Sequence, residues 1–165
     1  MSKNAFKRHG IEHLSASTIN TWIAQPALCL LKIAGIKDGE AGPAAWRGNA
    51  IDRVAAAIAT KPTIERDELR KLAKQNYQSS IDRAVDNHSD TKIQDEQKMI
   101  DPMIDRCMEF YSQLPEKFKE EQGKVSVKIG DIPLWWIGYF DLLYEDKVRD
   151  VKSVGRSTNK LLSNA

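Results

Sequence analysis

The sequence predicts an α+β domain in which N-terminal helices pack on a three-stranded antiparallel meander. Two features predict it. From residue 14 to about residue 122, apolar residues recur at three- and four-residue spacing, the period of a helix with one buried face. From Lys124 the period becomes two: Val125, Val127 and Ile129 alternate with Ser126 and Lys128, as in a half-buried strand. Composition agrees. The 165 residues fit one domain, 41% hydrophobic content suffices for a core, and 29% charged content is ordinary for a globular chain.

Residues 1–13 are polar and read as a flexible tail. Ser15 or Ser17 can cap a helix running to about residue 34, with a kink or break where Pro26 removes an amide donor. Trp22, Ile19 and Ile23 are expected on its core face. A glycine-bearing loop spans 35–42, and Pro43 then opens an alanine-rich helix to about residue 59, since proline suits a first turn. Gly48 lies inside that helix at a cost of roughly 1 kcal/mol against alanine, which implies close approach by another backbone or a phosphate. Asp52, four residues on, shares its face.

Residues 65–88 form an amphipathic pattern through Leu69, Leu72, Ala73, Tyr77, Ile81 and Val85. Residues 92–121 are expected to be helical with an interruption at Asp101-Pro102, where Asp101 caps and Pro102 occupies the first turn. Ile100, Met103, Ile104, Cys107, Phe110, Tyr111 and Leu114 make one stripe. The charged run 116–122 is expected to be a solvated helix end. The meander follows as strands near 124–129, 133–143 and 148–153, with turns at Gly130-Asp131 and Glu145-Asp146-Lys147. After Arg156 the chain turns polar, and 157–165 read as an unfinished segment.

The net charge of +2 excludes a chain coated in basic residues, so any nucleic-acid binding must come from a local patch. Two cysteines far apart, Cys29 and Cys107, give no disulfide framework and are expected to be buried free thiols, which fits a cytoplasmic setting. No apolar run reaches bilayer length and no signal peptide is evident, so no membrane partner is expected.

The segment with chemical content is Gly138-Tyr-Phe-Asp141 followed by Asp150-Val-Lys152. In a strand, residues i and i+2 share a face, so Asp150 and Lys152 should project together, with Asp141 arriving from the neighbouring strand. Asp141 and Asp150 offer carboxylate oxygens to a hard cation, Mg²⁺ or Mn²⁺, and the Val151 carbonyl adds another. Lys152 would hold an attacking water and offset phosphate charge, losing its proton more readily than in water. An isolated acid-x-Lys triplet is more often an exposed ion pair that stabilises little. The apolar strand 133–140 that delivers Asp141 favours a site.

On these residues the chain resembles the PD-(D/E)xK nuclease superfamily, in particular its RecB-like exonuclease branch. Gly138-Tyr-Phe-Asp141 and Asp150-Val-Lys152 are similar to the family's strand end and acid-x-Lys strand. Leu14-Ser-Ala-Ser17-Thr-Ile-Asn-Thr-Trp22 resembles its opening segment, Arg47-Gly48-Asn-Ala-Ile-Asp52 its helical motif, and Ser153-Val-Gly-Arg156 the stretch after the lysine. The likeness covers residues 14–60 and 124–157. It implies a restriction-endonuclease-like core and hydrolysis of DNA phosphodiesters at ends, in phage or bacterial recombination or repair. Asp141, Asp150 and Lys152 would be catalytic. Asp52, Asp141, Asp150 and Val151 would hold the metal, and Ser17, Arg47, Arg156 and Lys160 would contact substrate.

Three departures accompany the likeness. Asp52 stands where that branch most often has histidine; aspartate also ligates a hard cation. Two cysteines exclude, within one chain, the four-cysteine iron–sulfur cluster of some relatives. The chain stops at Ala165, so the family's C-terminal helix and further strand are expected to be missing, or supplied by a partner chain or a second copy. The alternative to a nuclease is a catalytically silent module on the same fold that binds nucleic acid or protein.

Overall fold

The computed structural model of the protein describes Phe6 and residues 9–36, 41–85, 88–114 and 117–152. Its architecture is mixed α+β, with six helices and two small sheets of three strands among those residues. In chain order these are β1 (His13–Leu14), α1 (Ala16–Ala24), α2 (Pro26–Ile33), α3 (Pro43–Thr60), α4 (Arg66–Arg83), α5 (Asp90–Lys98) and α6 (Ile100–Tyr111). The strands β2 (Phe118–Glu121), β3 (Lys124–Lys128), β4 (Trp135–Tyr139), β5 (Leu142–Tyr144) and β6 (Val148–Arg149) follow.

Local chemistry sets most helix ends. The Ser15 hydroxyl accepts from the Thr18 amide at 3.1 Å and so caps α1, leaving Ser17 inside the helix. Gln25 separates α1 from α2 because Pro26 cannot continue a helix but can start one. Pro43 opens α3 in the same way. Asp67 and Glu68 lie in the first turn of α4 and Ser89 caps α5, both placing negative charge or an acceptor on unpaired amides. The cap of α6 is Met99 rather than Asp101, which puts Pro102 deeper in the first turn, where its missing donor still costs nothing.

The core is built on α3. Ala50, Ile51, Val54, Ala55 and Ile58 are buried against Leu69, Ala73 and Tyr77 of α4, Ile100, Ile104 and Cys107 of α6, and Leu142 and Tyr144 of β5. The alanines let these helices approach closely, and Tyr77 satisfies its hydroxyl on the Ile93 carbonyl at 2.9 Å. Cys29 and Cys107 are buried free thiols, as expected. Val85, at the end of the α4 stripe, is 81% exposed and lies beyond the helix.

The β region departs from the expected single meander. The described part of the charged run, 117–122, does not end a helix; Phe118–Glu121 is β2, antiparallel to β5. β3 pairs antiparallel with β4, and β6 antiparallel with β5. The pairs β2–β5 and β3–β4 are therefore one long ladder bent in the middle. Glu121 faces Leu142 and Lys124 faces Tyr139, so Gln122-Gly123 on one strand oppose Phe140-Asp141 on the other. The bend keeps its hydrogen bonds: Gln122 donates to the Asp141 carbonyl at 2.9 Å and Phe140 to the Gly123 carbonyl at 3.1 Å. Gln122 turns the strand with a φ of 50°. A Cβ on Gly123 would overlap the Phe140 ring. Gly123→Ala is thus expected to destabilise the protein by about 1–3 kcal/mol, through overpacking at the bend that delivers Asp141; urea unfolding midpoints check this.

The N-terminal part also differs from expectation. His13, placed at the end of a flexible tail by the sequence, and Leu14, placed at the start of the helical part, pair in parallel with Trp135 and Trp136 of β4. Trp22 and Ile23 are 50% and 73% exposed, not core residues. Trp22 and Ile19 instead line an apolar groove of about 610 Å³ with Leu14, Leu30 and Ile33. β3 is exposed on both faces, with Val125 and Val127 about half exposed, because no helix among the described residues covers that end of the ladder.

Candidate functional site

The site forms where the bent ladder meets α3. The bend carries the chain from β4 to β5 and leaves Asp141 at the turning point, half-buried. β6 then runs antiparallel to β5 and ends at Arg149, so residues 150–152 return beside Asp141. The Asp141 Oδ2 accepts the Val151 amide at 2.6 Å, which ties the two segments together. On the same return segment Lys152 Nζ donates to Asp150 Oδ1 at 2.8 Å. Asp150 and Lys152 thus project together as the spacing predicts, although they lie just beyond the last strand residue. Val151 between them is buried and belongs to the core. Across from them, α3 presents Asp52, one turn after Gly48.

Charge accumulates here. Asp52 has its carboxyl pushed up to about 6, first by burial and then by the charges of Asp141 and Asp150. Asp141 is raised as well, chiefly by burial, against the lowering effect of the Val151 amide. Asp150 is lowered, chiefly by its hydrogen bond to Lys152, and keeps its charge. Lys152 is raised by the same bond, so it stands as an ammonium, contrary to the expectation that it would give up its proton easily. Desolvation lowers it, but the Asp150 bond and the surrounding carboxylates outweigh that effect.

The groups here that could serve a cation are oxygens: the carboxylates of Asp52, Asp141 and Asp150 and, by its place in the sequence, the Val151 carbonyl. That is the chemistry of a hard cation. Among the described residues no three His, Cys, Asp or Glu side chains form a ready cage. Asp52 feels Asp141 and Asp150 through charge rather than through a shared hydrogen bond, a repulsion that a divalent cation would relieve.

The raised Asp52 makes a pH prediction. A carboxyl with a folded value near 6 against 3.8 unfolded stabilises the fold fully below the lower value, and that stability is lost as pH rises through the higher one. Asp52→Asn is expected to flatten the fall in unfolding free energy between pH 4 and 7. After discounting for solvent it should gain about 1 kcal/mol at pH 7. Denaturation series at several pH values measure both.

The remaining sequence-predicted residues fall elsewhere. Arg47 does not face a substrate: it is 4% exposed and paired with Glu96 of α5 inside the helical body. The correction has a simple cause, since the buried face of α3 includes Trp46, Arg47, Ala50 and Ile51. Ser17 is exposed on α1, its hydroxyl 2.9 Å from that of Ser15. Arg156 and Lys160 lie outside the described residues. Sequence reasoning missed a slot of about 260 Å³ beside Lys152, walled by α6 residues that had been assigned to the core stripe. Its one signal was that Phe110 and Tyr111 are adjacent, so both cannot point inward from one helix.

No helix among the described residues is long and apolar enough to cross a membrane. Comparison of the chain with protein-family models, with curated proteins and with solved structures finds no match.

Proposed function

We propose that this protein is a divalent-metal-dependent nuclease, built on a restriction-endonuclease-like core, that hydrolyses DNA phosphodiester bonds at ends. The observation that carries the reading is the tie between Asp141 and the Val151 amide. It sets one carboxylate against the Asp150–Lys152 pair while α3 brings up Asp52. Asp52, Asp141, Asp150 and the Val151 carbonyl would hold Mg²⁺ or Mn²⁺. When bound, the cation supplies charge neutralisation and activation of water.

The chain's own groups do the rest. The Val151 amide fixes the orientation of Asp141. Asp150 keeps Lys152 protonated and within reach of a phosphate oxygen, so the ammonium offsets charge that develops in the transition state. Asp52, which feels the charges of both Asp141 and Asp150, would add the third carboxylate to the cation.

End-labelled single- and double-stranded DNA incubated with the protein and Mg²⁺ or Mn²⁺ should be shortened, and excess chelator should stop the reaction. DNA binding that weakens with salt, survives Asp150→Ala and is never accompanied by cutting would instead identify the silent module.

A further inference from the structure

The open slot next to Lys152 has no role in the chemistry above. Ile51 of α3 lines it with Met103, Arg106, Cys107, Phe110 and Tyr111 of α6, a mainly apolar and aromatic set with one guanidinium. Val151 and Lys152, members of the candidate site, close its near edge. At about 260 Å³ it is smaller than the roughly 300–1,000 Å³ of pockets for drug-sized ligands, and suits a single ring system. Phe110 and Tyr111 meet edge to face at 5.0 Å, and the Arg149 guanidinium sits over Phe110 at 5.5 Å, so the aromatic wall is braced rather than loose.

We infer that this slot receives the base of the nucleotide whose phosphate lies at Lys152, so that the preferred substrate is an unpaired, single-stranded end. The inference rests on the nuclease reading and adds the substrate class. A group held at the carboxylates shares Lys152 with whatever fills the slot, and in a nucleotide the flat apolar part attached to the phosphate-bearing sugar is the base. A base stacked and paired in a duplex cannot enter a side slot without being extruded, whereas an unpaired one can. Aromatic and thioether walls hold any base by its face, so little sequence preference should follow. Tyr111, its hydroxyl pushed up to about 12 chiefly by burial, remains a neutral hydrogen-bonding group at working pH.

The test uses Phe110→Ala, because Phe110 is 52% exposed and its loss should leave thermal unfolding nearly unchanged. Equilibrium binding is measured with deoxyadenosine monophosphate and with deoxyribose 5-phosphate. Cutting is measured on single strands that end in a normal or an abasic nucleotide, and on the blunt duplex. The parent should bind the nucleotide roughly tenfold to a hundredfold more tightly than the sugar phosphate. It should cut single strands faster than the duplex and normal ends faster than abasic ones. Phe110→Ala should erase the binding difference, and Phe110→Trp should restore it. A parent that cuts DNA but treats normal and abasic ends alike, with equal affinity for the two small probes, overturns the slot and leaves the nuclease reading intact. Nucleotide binding that depends on Phe110 without any cutting supports the slot and removes the nuclease.

Discussion

Lys152→Ala is expected to lower the metal-dependent cutting rate by about 10²–10⁴-fold while the protein stays folded. The two halves of that expectation have separate grounds. Lys152 is 74% exposed and its partner Asp150 61% exposed, so the pair contributes no more than about 1 kcal/mol to stability. Its chemical position is different. It is an ammonium that both borders the slot and bonds the Asp150 carboxylate, where it can meet a phosphate bridging those features. Lys152→Arg keeps a charge but replaces a compact ammonium with a planar fork, so partial recovery is expected. Initial rates on labelled DNA, together with a thermal melt of each variant, check both halves. Cutting at the parent rate in Lys152→Ala would falsify the assignment of the site.

Arg47→Ala is expected to act in the opposite way, costing about 3 kcal/mol of stability because it strands Glu96 beside the core. The Arg47 side chain is 5% exposed and that of Glu96 22%, and their charges meet across α3 and α5. Against the roughly 5–15 kcal/mol that holds a typical domain together, the loss should lower the melting temperature by about 6–12 °C. Glu96→Ala should cost a comparable amount. The double replacement by methionine should cost less than the sum, since it removes both charges and restores apolar volume. If Arg47→Ala melts with the parent and only its DNA affinity drops, the phosphate-contact role implied by the family likeness is right and the structural role is wrong.

The contrast between these two residues shows what was legible in the chain. Asp150 and Lys152 are neighbours in sequence, and their adjacency needs only local backbone geometry, so the i, i+2 spacing was enough to pair them. Arg47 looked like a surface arginine because nothing local marks Glu96, 49 residues away, as its partner. Trp22 misled for a related reason: an amphipathic helix advertises an apolar face, not what covers it, and α1 faces a groove instead of the main core. β2 was invisible because Phe-Lys-Glu-Glu carries one apolar side chain. Its strand state comes from a ladder with β5 and from Phe118 against the Tyr144 ring at 5.8 Å, both distant in sequence.

By itself the sequence determined the α+β class, the helix break at Pro26 and the helix start at Pro43, the α3 and α6 stripes, the buried thiols and the acid-x-Lys pair. Each of these depends on periodicity, on proline's missing donor or on neighbours a few residues apart. Only the tertiary structure decided that the meander is a bent ladder extended by β2, that Asp141 is tied to Val151, that Arg47 is buried, and that α3 raises Asp52 toward the two other carboxylates. Those outcomes depend on pairings between distant segments and on burial. Burial shifts an aspartate or withdraws an arginine from solvent according to what the rest of the fold places around it.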